Sequence, residues 1–416
     1  MSPIDDATGH RCHGPPMPRA GTKPGKNIYI KLLTTRRPRR SLVWWNNNLR
    51  SPPRDCNLAY GHSTPALHCR GVAGHVKFDS ELSDALACNV DGVLHLLELA
   101  RRCPKLRQVV VTSTAYVSPP VSAPVVAELV PLPHPAQALY RALKEGKLAK
   151  DEALRLTGHP NVYALSKSLA EHLVFEHRRG LPVTIVRPSI ISAALQHPEP
   201  GWIDSKVAFA ALVLCFEKGI LKVIDGDGDA KLDIMPVDEV ARCLIREAFQ
   251  DGPSDSTGEA NRRTDKTGKS DQSNCPPPAV HSQARITFST ATVRHSLSIN
   301  EICLVLQRFF SSKYPTQPRR IRFVGHGCLF KAYDALYHSI PLSLHSAMWR
   351  VLGRPDVGKR SSKALHIVKA MNAAFRYYTR QTYDFQAGEP STHLDPEKYL
   401  EIRWAEVDSG GQSAEQ

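Results

Sequence analysis

Apolar positions along this chain alternate between short β-branched runs and stretches of helical period. Gln108-Val-Val-Val-Thr-Ser113 is a compact apolar run ending in hydroxyls, the pattern of a parallel core strand with an open C-terminal end. Upstream, Val93, Leu96, Leu97 and Ala100 recur at helical spacing and predict a helix leading into that strand. The segment opened by Tyr163 reads as a second helix, and Leu181-Pro-Val-Thr-Ile-Val-Arg-Pro188 as a second strand stopped by proline. Helix, strand, long loop, helix, strand is the order of a doubly wound α/β sheet, in which ligands bind beyond the C-terminal strand ends.

The chemistry sits on the second helix. Tyr163 and Lys167 are four residues apart and share one helical face. An ammonium beside a phenol favours the phenolate, so the pair predicts a lowered tyrosine pKa. Tyr163 would then give a proton to a carbonyl oxygen as hydride reaches its carbon. Such a pair also arises on solvated helix faces, and its neighbours give it weight.

Those neighbours resemble a family. Gly158 to Val174, with its Tyr163-Ala-Leu-Ser-Lys167 core, is similar to the extended short-chain dehydrogenase/reductases and, more narrowly, to the alcohol-forming fatty acyl-CoA reductases of male-sterility type. Val76-Lys-Phe-Asp79 followed by Asn89-Val90 resembles one block of that family, and Ser113-Thr-Ala-Tyr116 another. Arg187-Pro-Ser-Ile190, Pro200-Gly-Trp-Ile-Asp204 and Asp233-Ile-Met-Pro-Val-Asp238 follow in the family's order. Pro200-Gly-Trp202 discriminates, because generic extended reductases lack it. The likeness runs from about residue 72 to 250 and resumes at Ser298-Ile-Asn-Glu301. Tyr337 to Pro341, Leu352 to Pro355 and Tyr377 to Phe385 resemble the family's C-terminal helical domain, with Tyr383 where tryptophan is usual.

The resemblance implies roles. Tyr163 is the general acid, and Lys167 tunes it and reaches the cofactor ribose. Thr114, rather than Ser113, bonds the substrate oxygen. Asn89 supports Lys167 from behind, and Pro188, Ser189 and Ile190 line the nicotinamide, together with Tyr163 and Lys167. The cofactor implied is NADPH and the substrate a long-chain acyl-CoA, reduced to the alcohol by way of the aldehyde. Blander readings stand beside these: Ser113 and Thr114 as turn caps, Asn89 as a helix N-cap, Trp202 as core.

The amino-terminal part departs from the pattern. A dinucleotide fold opens with a glycine-rich turn whose N–H groups cradle the pyrophosphate. Residues 1–75 contain none; Gly21-Thr-Lys-Pro-Gly25 comes nearest, and proline interrupts it. Val72-Ala-Gly-His75 stands where the family has a small-residue turn, and Asn27 to Leu33 reads as one strand. Residues 1–75 hold 12 Lys and Arg against 3 Asp and Glu, a balance of +9 out of the chain's +14. We expect an atypical segment here, truncated, mis-joined or a remnant of the first βαβ unit. A basic arm around Arg36 to Arg40 touching nucleic acid is the alternative, but no aromatic interleaving supports it.

The expected architecture is therefore a Rossmann-like parallel sheet over residues 76–325, incomplete at its start, followed by a mostly helical domain over 326–405 and a polar tail at 406–416. A polar insertion at 251–283, rich in Ser, Asp, Thr, Lys, Gly and Pro, reads as a disordered surface loop. Ten scattered cysteines, without a Cys-x-x-Cys pair, argue against zinc and for an intracellular protein. Cys88, Cys215, Cys243 and Cys303 read as small core residues. No signal peptide is visible, and the best apolar run, Val207 to Phe216, is about half of the ~20 residues a membrane span needs. The expected location is the cytosol or, by resemblance, the surface of the endoplasmic reticulum or peroxisome. Leu329 to Leu352 offers either a peripheral membrane contact or a domain core. Against the acyl-CoA reductase stand another extended reductase or epimerase, and a non-catalytic remnant that has lost its cofactor cradle.

Overall fold

The computed structural model describes residues 33–34, 40–45, 66–71, 81–103, 106–118, 124–205, 207–249, 284–315, 320–325, 327–387 and 393–404, with backbone alone for those before residue 81 and for 403–404. The Gly21–Gly25 candidate, the basic run before Arg40, the segments Val72–His75 and Val76–Asp79, the insertion and the polar tail lie outside these residues. So does most of the strand expected at Asn27 to Leu33; only Leu33 and Thr34 are described.

Six strands form the central sheet: β1 (Leu33–Thr34), β2 (Arg40–Trp45), β3 (Ala66–Gly71), β4 (Leu106–Thr112), β5 (Val183–Pro188) and β6 (Arg285–Ser289), side by side in chain order. β1 runs antiparallel to β2, and β2 through β6 are parallel. Both strands expected from the sequence, β4 and β5, are present and adjacent. Their β-branched residues suit strands buried on two faces.

Helices cover both faces, which makes the sheet doubly wound and Rossmann-like. On one face Val109, Val111, Val183 and Ile185 pack against α1 (Gly92–Arg101) and α2 (Val162–His177). On the other, Val110 and Val186 share a core with α3 (Ala208–Glu217) and α4 (Val237–Phe249). α3 is the longest apolar run foreseen; Phe209, Val213 and Phe216 are buried within the protein. Among the described residues no helix is long and apolar enough to cross a membrane. The four cysteines read as core are all buried, and none of them is in a disulfide.

The core does not stop where the helix-rich region begins. Val368, Phe375, Tyr378, Tyr383, Phe385 and Leu400 lie in the same hydrophobic cluster as Val110 and Val186. The division near residue 326 is thus one of secondary structure rather than of packing. Short pairings reinforce the closure: Val125 bridges Phe385, and the strand pair Trp202–Ile203 meets Arg403–Trp404 in parallel.

One ionic contact ties helix to sheet. Arg187, fully buried in β5, forks onto Glu171 of α2, Nε to Oε1 at 3.0 Å and Nη2 to Oε2 at 2.6 Å. Its Nη2 also donates to the Glu128 carbonyl at 2.8 Å, and its guanidinium lies over the Phe288 ring. Removing one member leaves an uncompensated buried charge, so Arg187→Ala should cost about 3–5 kcal/mol in urea unfolding. Arg187→Met with Glu171→Leu should recover most of that loss. Equal instability of the single and double variants would show that the carbonyl contact, not the charge pair, is what matters.

Candidate functional site

The C-terminal ends of β4 and β5 lie at one edge because the register pairs Thr112 with Val186. The chain leaves β4 through Ser113 and Thr114, both buried, into a short 3-10 turn, Ala115–Val117. Thr114 accepts a hydrogen bond from the Tyr116 N–H at 3.3 Å, so the capping reading of this hydroxyl is realised. It also shares a hydrogen bond with the Tyr163 phenol, so capping does not remove it from the site. Ser113 Oγ is buried without a hydrogen-bond partner among the described residues. A buried hydroxyl left unpaired is costly unless something else pairs with it.

Tyr163 stands in the first turn of α2. Asn161 caps that helix, accepting from the Ala164 N–H at 2.9 Å, and its amide donates to the Tyr378 hydroxyl at 3.2 Å. Burial pushes the Tyr163 phenol up to about 12, partly offset by Thr114. This reverses the direction expected from the Tyr/Lys spacing. Lys167 Nζ donates instead to the Thr112 carbonyl at 2.9 Å. Burial lowers its pKa to about 8, with Cys88 and Glu171 opposing the shift. Desolvation outweighs the charges of Cys88 and Glu171 at Lys167 and the Thr114 hydrogen bond at Tyr163. Tyr163 is therefore a protonated phenol, and Lys167 an ammonium held at the strand end.

Asn89 is no N-cap. It lies inside a π-helical turn, Ala87–Asp91, nearly fully buried, and its Nδ2 donates to Ser166 Oγ at 2.9 Å. Ser166 in turn donates to the Tyr163 carbonyl at 2.9 Å. The support expected for Lys167 thus reaches the backbone of the tyrosine through the residue beside the lysine. π-turns of this kind concentrate at functional sites.

Pro188 ends β5, and the Ser189 N–H bonds the Ser289 carbonyl at 3.1 Å. Ile190 begins a short strand, Ile190–Ser192, paired with Ile234–Pro236. The structure thus puts Tyr163 beside Thr114 and brings Lys167 to the end of β4, while Pro188, Ser189 and Ile190 lie at the neighbouring strand end. Trp202 is half-buried in a two-residue strand.

Reasoning from sequence missed the roof. Tyr116 meets the edges of Tyr378, Tyr383 and Phe385 with ring centroids 4.9, 5.1 and 5.4 Å away. The C-terminal aromatic segment therefore packs directly against the turn after Thr114, and Tyr378 reaches the cap of the Tyr163 helix. Glu171 and Arg187 were also missed as a pair. Charged residues inside apolar segments signal a buried partner, but not which one.

Residues 68–244 match a family model of NAD-binding type described as male sterility protein. Over 190 residues the chain is 34% identical to fatty acyl-CoA reductase 1 of Xenopus laevis, covering 45% of this chain and 36% of that protein. It is 27% identical over 308 residues to probable fatty acyl-CoA reductase 5 of Arabidopsis thaliana, covering 66% and 57%. With fatty acyl-CoA reductase wat of Drosophila melanogaster it shares 32% over 190 residues, covering 42% and 35%. The chain thus spans between about a third and just over a half of the length of these relatives. Among solved structures, the terminal R domain of the myxalamid PKS-NRPS pathway aligns with a TM-score of 0.47 at 18% identity, over 81% of this chain and 68% of that one.

The lowered pKa of Lys167 has a thermodynamic signature. Between about pH 8 and the usual lysine value of about 10.4, the unfolded chain binds a proton that the folded chain does not. Lys167 therefore contributes an upward slope of stability with pH across the lower part of that window, against the downward slope from the buried Cys215, Cys243 and Cys303 thiols, whose pKa values burial raises. Urea midpoints at two pH values just above 8 test this, with the slope of the native chain expected to be more positive than that of Lys167→Met. An identical slope in both proteins would mean that the ammonium is solvated.

Proposed function

We propose that this chain, similar over residues 68–244 to the male sterility protein family, is a fatty acyl-CoA reductase that reduces long-chain acyl-CoA with NADPH to the aldehyde and then the alcohol. The observation that carries the reading is the Tyr163–Thr114 hydrogen bond at the open end of β4, beside the buried Lys167. The reacting end of a nicotinamide fits this place: a protonated phenol, a Ser113 hydroxyl unpaired among the described residues and a neutralisable ammonium converge at the two strand ends.

When bound, the reduced nicotinamide supplies hydride to the carbonyl carbon, once for the aldehyde and twice for the alcohol. Tyr163 gives its proton to the carbonyl oxygen as negative charge develops there. Thr114 holds the phenol until the carbonyl oxygen arrives, and its single hydroxyl proton then goes to that oxygen instead. After the first reduction the carbon bears oxygen and sulfur. Collapse of that hemithioacetal breaks the C–S bond, releases coenzyme A as the thiol and leaves the aldehyde. Asn89, acting through Ser166, holds the backbone of Tyr163 and is a positioning residue. Because long acyl thioesters and their alcohols partition into bilayers, we place this reaction beside a membrane.

A second reading has its own support. β2, which neighbours β3 in the parallel sheet, is followed by no glycine between residues 46 and 60, where a pyrophosphate cradle would need one. On that reading the chain keeps the acid and loses the cofactor.

Mass-spectrometric product analysis with NADPH and a panel of long-chain acyl-CoAs separates the two. Fatty alcohol from the native chain, reduced about a hundredfold or more in Tyr163→Phe, is the expected result. A folded native chain that forms no product and leaves NADPH fluorescence unchanged would establish the non-catalytic reading.

A further inference from the structure

The turn that follows the helix Pro355–Phe375 is fixed by one buried carboxylate. Asp225 accepts from Arg380 on one oxygen, Nε at 3.0 Å and Nη2 at 2.6 Å, and pairs with Arg376 Nε at 3.3 Å on the other. Between the two arginines, Thr379 Oγ1 donates to the Asp225 carbonyl at 2.7 Å, and the Asp227 N–H donates to the Thr379 carbonyl at 2.8 Å. A Cβ on Gly226 would lie 2.7 Å from Thr379 Cβ, so this close approach needs glycine there. Residues 376, 379 and 380 are all held, and Tyr378 lies among them with little freedom to move.

That anchoring aims one hydroxyl. Tyr378 is buried, and its ring meets those of Tyr116 and Tyr377 edge to face, with centroids 4.9 and 5.3 Å away. Its oxygen accepts from Asn161 Nδ2 at 3.2 Å, a contact between points 217 residues apart in the chain. Burial raises the Tyr378 phenol, the Asn161 bond opposes the shift, and the neighbouring Tyr163 and Tyr377 add to it, so the group stays protonated through the neutral range. A phenyl ring at this position would fill the same space and meet Tyr116 equally well. Burying a hydroxyl is costly unless it is paired, and what the oxygen adds here is its hold on Asn161.

Asn161 shares one amide plane between two bonds. Its Oδ1 accepts the Ala164 N–H at 2.9 Å, so the Tyr378 hydroxyl on its Nδ2 sets the rotation of the cap. Tyr163 lies two residues beyond that cap, in the opening turn of α2. On the other side, the Tyr116 N–H donates to Thr114. Thr114, Tyr116, Tyr378, Asn161 and the opening turn of α2 therefore close a ring of contacts around the Tyr163–Thr114 hydrogen bond.

We propose that Tyr378 is a positioning residue for the proton donor Tyr163, acting through Asn161, so that the C-terminal segment anchored on Asp225 completes the reactive centre. The inference rests on the reading of Tyr163 as the acid, and one arm of its test needs no turnover. In the full chain, Tyr378→Phe keeps the ring and removes the hydroxyl, while Asn161→Ser keeps a cap oxygen and removes the amide donor. In each variant, deuterium uptake by the peptide covering residues 160–168 should quicken roughly tenfold, with the other peptides and the urea midpoint unchanged. With NADPH and acyl-CoA, kcat should fall roughly tenfold while both KM values hold. The double variant should lose no more than either single one, because all three break the same bond. Unchanged uptake in Tyr378→Phe overturns the proposal. So does a native kcat in that variant, a rise in KM in place of the fall in kcat, or losses that multiply in the double variant. A native chain without turnover would sink the reductase reading instead, and the uptake of residues 160–168 then decides by itself whether Tyr378 orders the turn that carries Tyr163.

Discussion

Everything at the site depends on α2 being held over the ends of β4 and β5. Packing on Val111, Val183 and Ile185 sets the distance between helix and sheet, but apolar contact alone allows a helix to slide or rotate. The bidentate Arg187–Glu171 pair removes that freedom. Its partners come from the strand and from the helix one turn beyond Lys167, and its geometry tolerates little displacement. Once α2 is fixed, the Lys167 ammonium reaches the Thr112 carbonyl and Tyr163 reaches Thr114.

Burial then sets the chemistry. Both members of the Tyr/Lys pair are shifted toward neutrality, Tyr163 upward and Lys167 downward, because the low-dielectric surroundings penalise either charge. A phenol in this state stays protonated at neutral pH but is a weaker acid than a free tyrosine. The hydrogen bond from Thr114 limits the upward shift.

The C-terminal segment plays two different physical parts. Residues 368–402 complete the main core, and the Tyr378, Tyr383 and Phe385 rings close over Tyr116 at the site. The helical hairpin of Ile340–Val351 and Pro355–Phe375 instead turns its apolar side chains outward and its small ones inward.

The sequence by itself determined the elements with strong local signals. β4 and β5 followed from β-branched runs, α1 from its apolar period, and the Tyr163/Lys167 face from four-residue spacing, because these depend on neighbours a few residues away. The family blocks also gave Thr114, Ser189 and Asn89 as places to look. Only the tertiary structure decided the direction of the Tyr163 shift, since desolvation depends on everything packed around the ring and spacing reports only the nearby charge. It decided that Asn89 serves Ser166 from within a π-turn rather than capping a helix, and that Arg187 pairs with Glu171 and Asn161 with Tyr378. Those contacts join residues far apart in the chain, and one sequence carries no record of which distant polar groups meet. The same holds for Leu336 to Leu352: an apolar period reads alike whether its face turns to a core or to the outside, and only the Gly358 contact with Ser346 shows which face turned inward.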